Sequence, residues 1–365
     1  MRLKLATGVL FTTALFFSGC AKKGPPNFEA DEFKKDKLAV AQRYVKVEHP
    51  KSISKQPKKA FVPMFQVEFI NQSSASSSSM NLSTTNSSSV NVSYHLEGVD
   101  TASFTSLVDN LYSDFLGQLK TAGYDVMNKD DMTKTPQYQE LITKAEKTNP
   151  IEMSSRQGGS NKAFVVAPSG MAIFYINNFN PKPSIKGFWA ALKGDLPESP
   201  LAHLVDSIQE VAVCVQMVVS FADLKDDHVS GSGNSSVSAT YNFAIANMHT
   251  VMAFGGSESV SKSGSASRWN FMPNSGTVFR ITKPMYGGSG FVTGQRDITS
   301  TGSKVAEGLG NAFSMLAAAS GGGSSHTSKT RVYALDVDKD KYLGLARDNI
   351  GYATDMMVTM ATNTK

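Results

Sequence analysis

Apolar residues at Phe104, Leu107, Val108, Leu111, Phe115 and Leu119 recur every three to four positions, drawing one stripe along a helix of 3.6-residue period. Asp100 or Thr101 can accept the free amide hydrogens at its start, and Gly123 supplies a left-handed stop. Ahead of it, Val90-Asn91-Val92-Ser93-Tyr94 alternates as a half-buried strand does; behind it, Tyr124-Asp125-Val126-Met127 restarts as another. Strand, long helix, glycine, strand predicts a βαβ-like first unit. Earlier still, Ala60 to Ile70 is an apolar, β-rich run in which Pro63 marks a strand start or an edge. Between them lies a Ser/Asn/Thr tract, residues 71–89, with almost nothing to bury, which predicts a mobile insertion.

The remaining pattern is more broken. Residues 128–162 are polar, with a short helix predicted near Gln137 to Lys147 and a loop at Gly158-Gly159. Ala163 to Val166 and Met171 to Ile176 bracket Pro168-Ser169-Gly170 and predict a strand, turn and strand. Pro181 to Pro200, with Trp189, predicts a loop or a short helical excursion. Two long extended runs, Ile208 to Leu224 and Val237 to Phe254, flank the polar Asp226 to Asn234 and predict a hairpin with a flexible tip. Val278 to Ile281 and Gly290 to Thr293 predict another around Gly287 and Gly288. Lys304 to Ala319 predicts a small-residue helix with Val305, Leu309, Phe313 and Leu316 on one side. Arg331 to Leu335 reads as a strand, and Tyr342, Ala346, Ile350, Ala353, Met357 and Met360 stripe a closing helix. The class is α+β: a mixed or antiparallel sheet, packed helices and polar loop insertions.

Residues 20–57 interleave lysines with Gly24, Pro25, Pro26, Pro50 and Pro57. They predict a flexible tether, holding at most a short helix over Phe33 to Val47, that would reach about 120 Å fully extended. The folded region is then 58–365. A formal net charge of +5 over 365 residues is close to neutral and argues against a dedicated nucleic-acid surface. No apolar run after residue 20 reaches the length of a membrane-spanning helix.

The N-terminus changes the picture most. Arg2 and Lys4 give a basic start, and Leu5 to Phe17 is an apolar stretch too short to span a bilayer, the mark of a signal peptide over 1–19. It ends in Leu15-Phe16-Phe17-Ser18-Gly19-Cys20, which resembles the bacterial lipobox. That resemblance implies diacylglycerol on the Cys20 sulfur, cleavage before Cys20 and acylation of the new amine. Ala21 follows, where the resemblance would place Asp for inner-membrane retention, so it implies an outer-membrane location with the folded part facing the periplasm. With Cys20 committed to lipid, Cys214 has no partner in the chain, and within Val211-Ala212-Val213-Cys214-Val215 it reads as a small buried hydrophobe.

Catalytic chemistry is hard to find. The histidines at 49, 95, 203, 228, 249 and 326 do not pair at zinc-ligand spacing, no serine sits in Gly-x-Ser-x-Gly, and the glycine clusters lack a phosphate-loop lysine. Asp336-Val337-Asp338-Lys339-Asp340 begins like a calcium loop, but Lys341 stands where Gly is needed and Arg347 where a bidentate Glu is needed. These acids read instead as the start of the last helix, where negative charge suits the dipole. No cofactor, metal site or catalytic residue is expected, and the chain is not expected to be an enzyme.

Ala60-Phe61-Val62-Pro63-Met64-Phe65, followed by the amphipathic helix and strand over Leu107 to Met127, is similar to the periplasmic domains of curli-secretion-channel-like and flagellar outer-membrane lipoproteins. The similarity covers about a fifth of the chain and implies oligomerisation and a role in export. Three functions follow as expectations. The first is a lipid-anchored structural or docking subunit of an envelope assembly, such as a secretion-system component. The second is an oligomeric export channel in which the 208–254 hairpin forms a barrel, opposed by Gln216, Ser220 and Asp223, which interrupt both faces of its first strand. The third is an envelope-modifying enzyme with no recognisable motif. The partners expected are outer-membrane lipid through acylated Cys20 and other envelope proteins, with a homo-oligomer left open and nucleic acid excluded.

Overall fold

Residues 26–81, 86–144, 151–154, 161–174, 200–226, 235–247, 249–263, 266–269, 276–319 and 326–364 are described by the structure, a computed structural model. The architecture is α+β, built on one large mixed sheet. Helices α1 (Ala30–Lys35) and α2 (Lys37–Tyr44) lead into β1 (Val45–Glu48), and a long hairpin follows, β2 (Lys59–Asn81) and β3 (Asn86–Glu97). Then come α3 (Thr101–Thr121), β4 (Asp125–Val126), α4 (Lys129–Thr133), α5 (Pro136–Lys144), β5 (Ile151–Ser154), β6 (Lys162–Val166) and α6 (Pro200–Ile208). The strands β7 (Val211–Asp226), β8 (Val237–Ile245) and β9 (Val251–Gly255) are followed by a small ribbon of β10 (Val260–Ser263) and β11 (Ala266–Trp269). The chain ends with β12 (Thr277–Ile281), β13 (Met285–Gly288), β14 (Val292–Asp297), α7 (Thr301–Ala319), β15 (His326–Val337) and α8 (Lys339–Asn363). The main path of the sheet runs β1-β12-β9-β7-β2-β3-β15-β14, with β2·β7 and β3·β15 parallel.

The stripe that predicts α3 is the stripe it buries. Phe65 of β2 meets Tyr112 and Phe115, and Phe69 stacks on Phe104 at 4.3 Å between ring centroids. Asp100 caps the helix by accepting the Ser103 N–H at 2.7 Å, and Gly123 follows it at φ +85°. Truncating Phe115, which is wholly buried, to Ala would cost roughly 3–5 kcal/mol. Helix α8 packs beside α3, and of its expected stripe Tyr342, Ala346, Ile350, Ala353 and Met357 are buried and Met360 is half-buried. On the opposite face of β2 Gln66 donates to the Phe174 carbonyl; Tyr138 of α5 reaches the Pro63 carbonyl.

Several expectations are corrected. The tether does not extend to residue 57: Phe28, Phe33, Val40, Ala41, Val45 and Ile53 are buried, and β1 pairs with β12. Lysines between these positions point outward and hide the apolar spacing. Nor is the Ser-rich tract a mobile insertion, since its described residues 71–81 and 86–89 belong to β2 and β3, paired from Gln72↔His95 to Asn81↔Asn86. Backbone ladder bonds and a covering layer replace the apolar side chains that tract lacks. The first unit is not a βαβ between β3 and β4. β3 is antiparallel to β2 whereas β4 is parallel to it, so α3 carries the chain back to the start of β2. Gly287 and Gly288 do not turn a hairpin, because β12 pairs with β1 and β9, β13 with β8, and β14 with β15. A side chain at Gly287 would collide with Asn349 and Phe243, so the glycine permits a close pass under α8. Of the strand-turn-strand over 163–176 the first strand and the turn (Met171 N–H to the Pro168 carbonyl) form, with β6 paired to β2 and β5, and residues 175–176 lie outside the described residues. Of the 208–254 hairpin, β7 and β8 form as expected, and the second run breaks into β8 and β9, both on β7. Residues 227–234 of its tip, Gly158-Gly159, and most of Pro181 to Pro200 lie outside the described residues.

Candidate interaction surface

Beyond residue 71 the β2–β3 hairpin continues past the packed core, and β15 extends it as a third, parallel strand. Side chains alternate across a strand, so the register sorts them onto two faces. One face carries Ser73, Ala75, Ser77 and Ser79 beside Ser88, Val90, Val92 and Tyr94. The other carries Gln72, Ser74, Ser76 and Ser78 beside Ser87, Ser89, Asn91, Ser93 and His95, extended by Ser328 and Thr330.

The first face is covered. Tyr241 of β8 meets Tyr94 edge-on at 5.7 Å, Tyr94 stacks on Tyr333 at 5.4 Å, and the Ser88 and Ser235 hydroxyls bond at 2.9 Å. The Tyr241 hydroxyl donates to Gln295 Oε1 at 2.7 Å. Val237, Ala239 and Tyr241 are half-buried in this layer, while Ser238 and Thr240 between them are exposed. The result is a two-layered projection with a thin apolar middle. The second face is open: Ser76, Ser78 and Asn91 are exposed and their neighbours half-buried, with Ser74 and Ser93 joined by a hydroxyl–hydroxyl bond. It presents hydroxyl and amide groups on a frame held by ladder bonds, able to donate and accept along two directions.

The outer edge of β15 is closed by side chains. Ser328 N–H donates to Asn311 Oδ1 at 2.9 Å, and Asn311 Nδ2 donates to the Ser328 carbonyl at 3.1 Å. Thr330 N–H donates to Glu307 Oε2 at 3.1 Å, and Val332 N–H to Thr299 Oγ1 at 2.8 Å. From Tyr333 onward β14 takes over. So α7 and the turn before it cap an otherwise open sheet edge. Partial burial would raise the Glu307 carboxyl, but the Thr330 N–H and the Arg331 guanidinium outweigh it and hold it below its ordinary value. At the other end Arg296 binds Asp336 at 2.9 Å and Glu97 at 2.6 Å, tying β14, β15 and β3 together and lowering the Asp336 carboxyl.

The acids of 336–340 do not converge. Asp336 belongs to Arg296, and Asp338 caps α8 by accepting the Lys341 N–H, as the helix-start reading expects. Among the described residues no three His, Cys, Asp or Glu side chains gather as for a metal ion. His203 lies 3.6 Å from Glu140, His49 sits in a left-handed turn after β1, and His95 is on the open face; His228 lies outside the described residues. Cys214 is fully buried, and burial pushes its thiol well up. Cys20 also lies outside the described residues. No helix among the described residues is long and apolar enough to cross a membrane. Sequence reasoning misses Asn311, Glu307 and Thr299 altogether, because capping an edge takes polar residues that have no periodic signature. A signal for the covered face did exist in the alternation of Val90, Val92, Tyr94 and Leu96.

No protein-family model, no curated protein and no solved structure matches the chain.

Proposed function

We propose that the protein is a lipid-anchored, non-catalytic docking subunit of a bacterial outer-membrane assembly, such as a secretion apparatus. Acylated Cys20 holds it in the membrane, and the hydroxyl face of β2, β3 and β15 meets a protein partner. The observation that carries this reading is the open polar face itself, on a frame fixed by ladder bonds and a covering layer. Such a surface offers many hydrogen bonds at little ordering cost. The test is a photo-crosslinking residue placed at Asn91 in cells, with one at exposed Asp114 of α3 as the control. A discrete adduct from Asn91 and none from Asp114 is expected; adducts from neither would defeat the reading.

A second reading, the oligomeric export channel similar to the curli exporter, draws on strand length and on the two-faced hairpins. β2 is 23 and β7 16 residues long, where a spanning strand needs about 9–11. Each projecting hairpin has one apolar side, and here those sides cover one another. A channel requires the layers to part and turn Val90, Val92 and Tyr94 toward lipid. Conductance in planar bilayers from the Cys20→Ser protein would favour it over docking.

A further inference from the structure

Among the described residues the exposed large apolar side chains are Ile298, Val305 and Leu309, at 40%, 56% and 57% exposure, and all three belong to α7 or to the turn leading into it. Their arrangement follows from how α7 is held. Glu307 and Asn311, one turn apart, attach it to the backbone of β15. Val305 and Leu309 each precede one of these by two residues, a rotation of about 200° on a helix, so they stand on the side away from the sheet. The charged residues of α7 are Lys304, paired with Asp297 at 2.9 Å, and Glu307, paired with Arg331 at 2.9 Å. Nothing lies within 4 Å of where side chains at Gly302, Gly308 and Gly310 would begin. Over residues 301–312 the free side of α7 is therefore apolar, neutral and unpacked. The side chains of Phe313 and Leu316 lie outside the described residues.

We propose that α7 is an interfacial helix, lying in the headgroup layer of the same membrane that holds the lipid on Cys20. This rests on the anchored reading above. The occupant is argued from chain length. The Phe28 N–H is bonded to the Tyr286 carbonyl, so six residues lie between Cys20 and Asn27, a span of at most about 25 Å fully extended. Asn27 lies against Gly288, four residues before β14, which runs from Val292 to Asp297, about 17 Å, and delivers Ile298 and the start of α7. The acyl chains and the apolar side of α7 can thus enter one lipid surface together. A second copy fits less well, because three side chains fall far short of the roughly 800 Å² per partner that a stable interface buries. Added to acyl chains already in the membrane, the same three side chains suffice to fix which way the molecule faces, since the tether supplies the local concentration.

The experiment separates this from acylation by attaching the lipid chemically. The chain from Cys20 onward is coupled through the Cys20 thiol to a maleimide lipid in phosphatidylcholine vesicles; Cys214, being buried, does not compete. Amide hydrogen exchange over residues 301–312 is compared with protein blocked at Cys20 by N-ethylmaleimide and mixed with the same vesicles. The proposal expects exchange to slow on the order of tenfold on tethering. It also expects the Val305→Asp, Leu309→Asp double variant to lose that slowing while keeping its melting temperature. No slowing on tethering would overturn it, and so would slowing that appears without vesicles as protein concentration rises, which would assign the face to a second copy. Failure of Cys20 to be acylated in cells would instead defeat the anchored reading and leave this result standing.

Discussion

Tyr342 puts a hydroxyl where the molecule has least use for one. It is wholly buried on α8 among Phe104, Phe243 and Phe291, with ring centroids 5.5–6.3 Å away, and its oxygen has no hydrogen-bond partner among the described residues. A buried unsatisfied hydroxyl costs about 1–3 kcal/mol in desolvation. Tyr342→Phe is therefore expected to leave stability unchanged or raise it by about 1 kcal/mol, measured by urea denaturation; a clear loss would mean that the hydroxyl has a partner. At this scale the sequence is legible where a residue's neighbours share its character. Cys214 sits in an apolar run and is buried inert, and Asp338 stands before a striped helix and caps it. It is illegible where one residue answers another far away, as Gln66 does the Phe174 carbonyl and Asn311 the Ser328 backbone.

The elements divide the same way. Helices α3 and α8 announce themselves because each buries one continuous stripe against the sheet. The strands of the serine projection do not, because their stability comes from ladder bonds and from a layer supplied by β8, more than a hundred residues along the chain. Residues 28–55 misread for another reason: their buried positions are few and set among exposed lysines. The edge cap built by α7 carries a pH dependence. Glu307 is held below its ordinary value, so its contribution is complete above that value and is lost as pH falls through the lowered one. Exchange protection of the Thr330 amide should therefore drop on the order of tenfold between neutral pH and a pH acidic enough to protonate the Glu307 carboxyl. Glu307→Gln should flatten that change. Protection that falls equally in both proteins would show that the carboxylate is not what closes the edge.

For the molecule as a whole, the fold class was readable and the topology was not. Alternation and helical stripes identify α+β, but pairing order depends on contacts such as β3·β15 that join residues more than two hundred apart. The surface proposed for docking lies in the very tract that composition marks as unstructured. Its meaning depends on where the molecule is held, because a hydroxyl face beside a membrane meets a different set of partners from one free in solution. That makes Cys20 the hinge of the functional account. The most direct measurement is metabolic labelling with a clickable fatty-acid analogue, followed by membrane fractionation, on wild-type protein and on Cys20→Ser. Wild-type protein is expected to be labelled, cleaved before Cys20 and recovered with the outer membrane. Cys20→Ser is expected to be unlabelled and to remain as uncleaved precursor in the inner membrane. Wild-type protein found unlabelled and freely soluble in the periplasm would contradict the account.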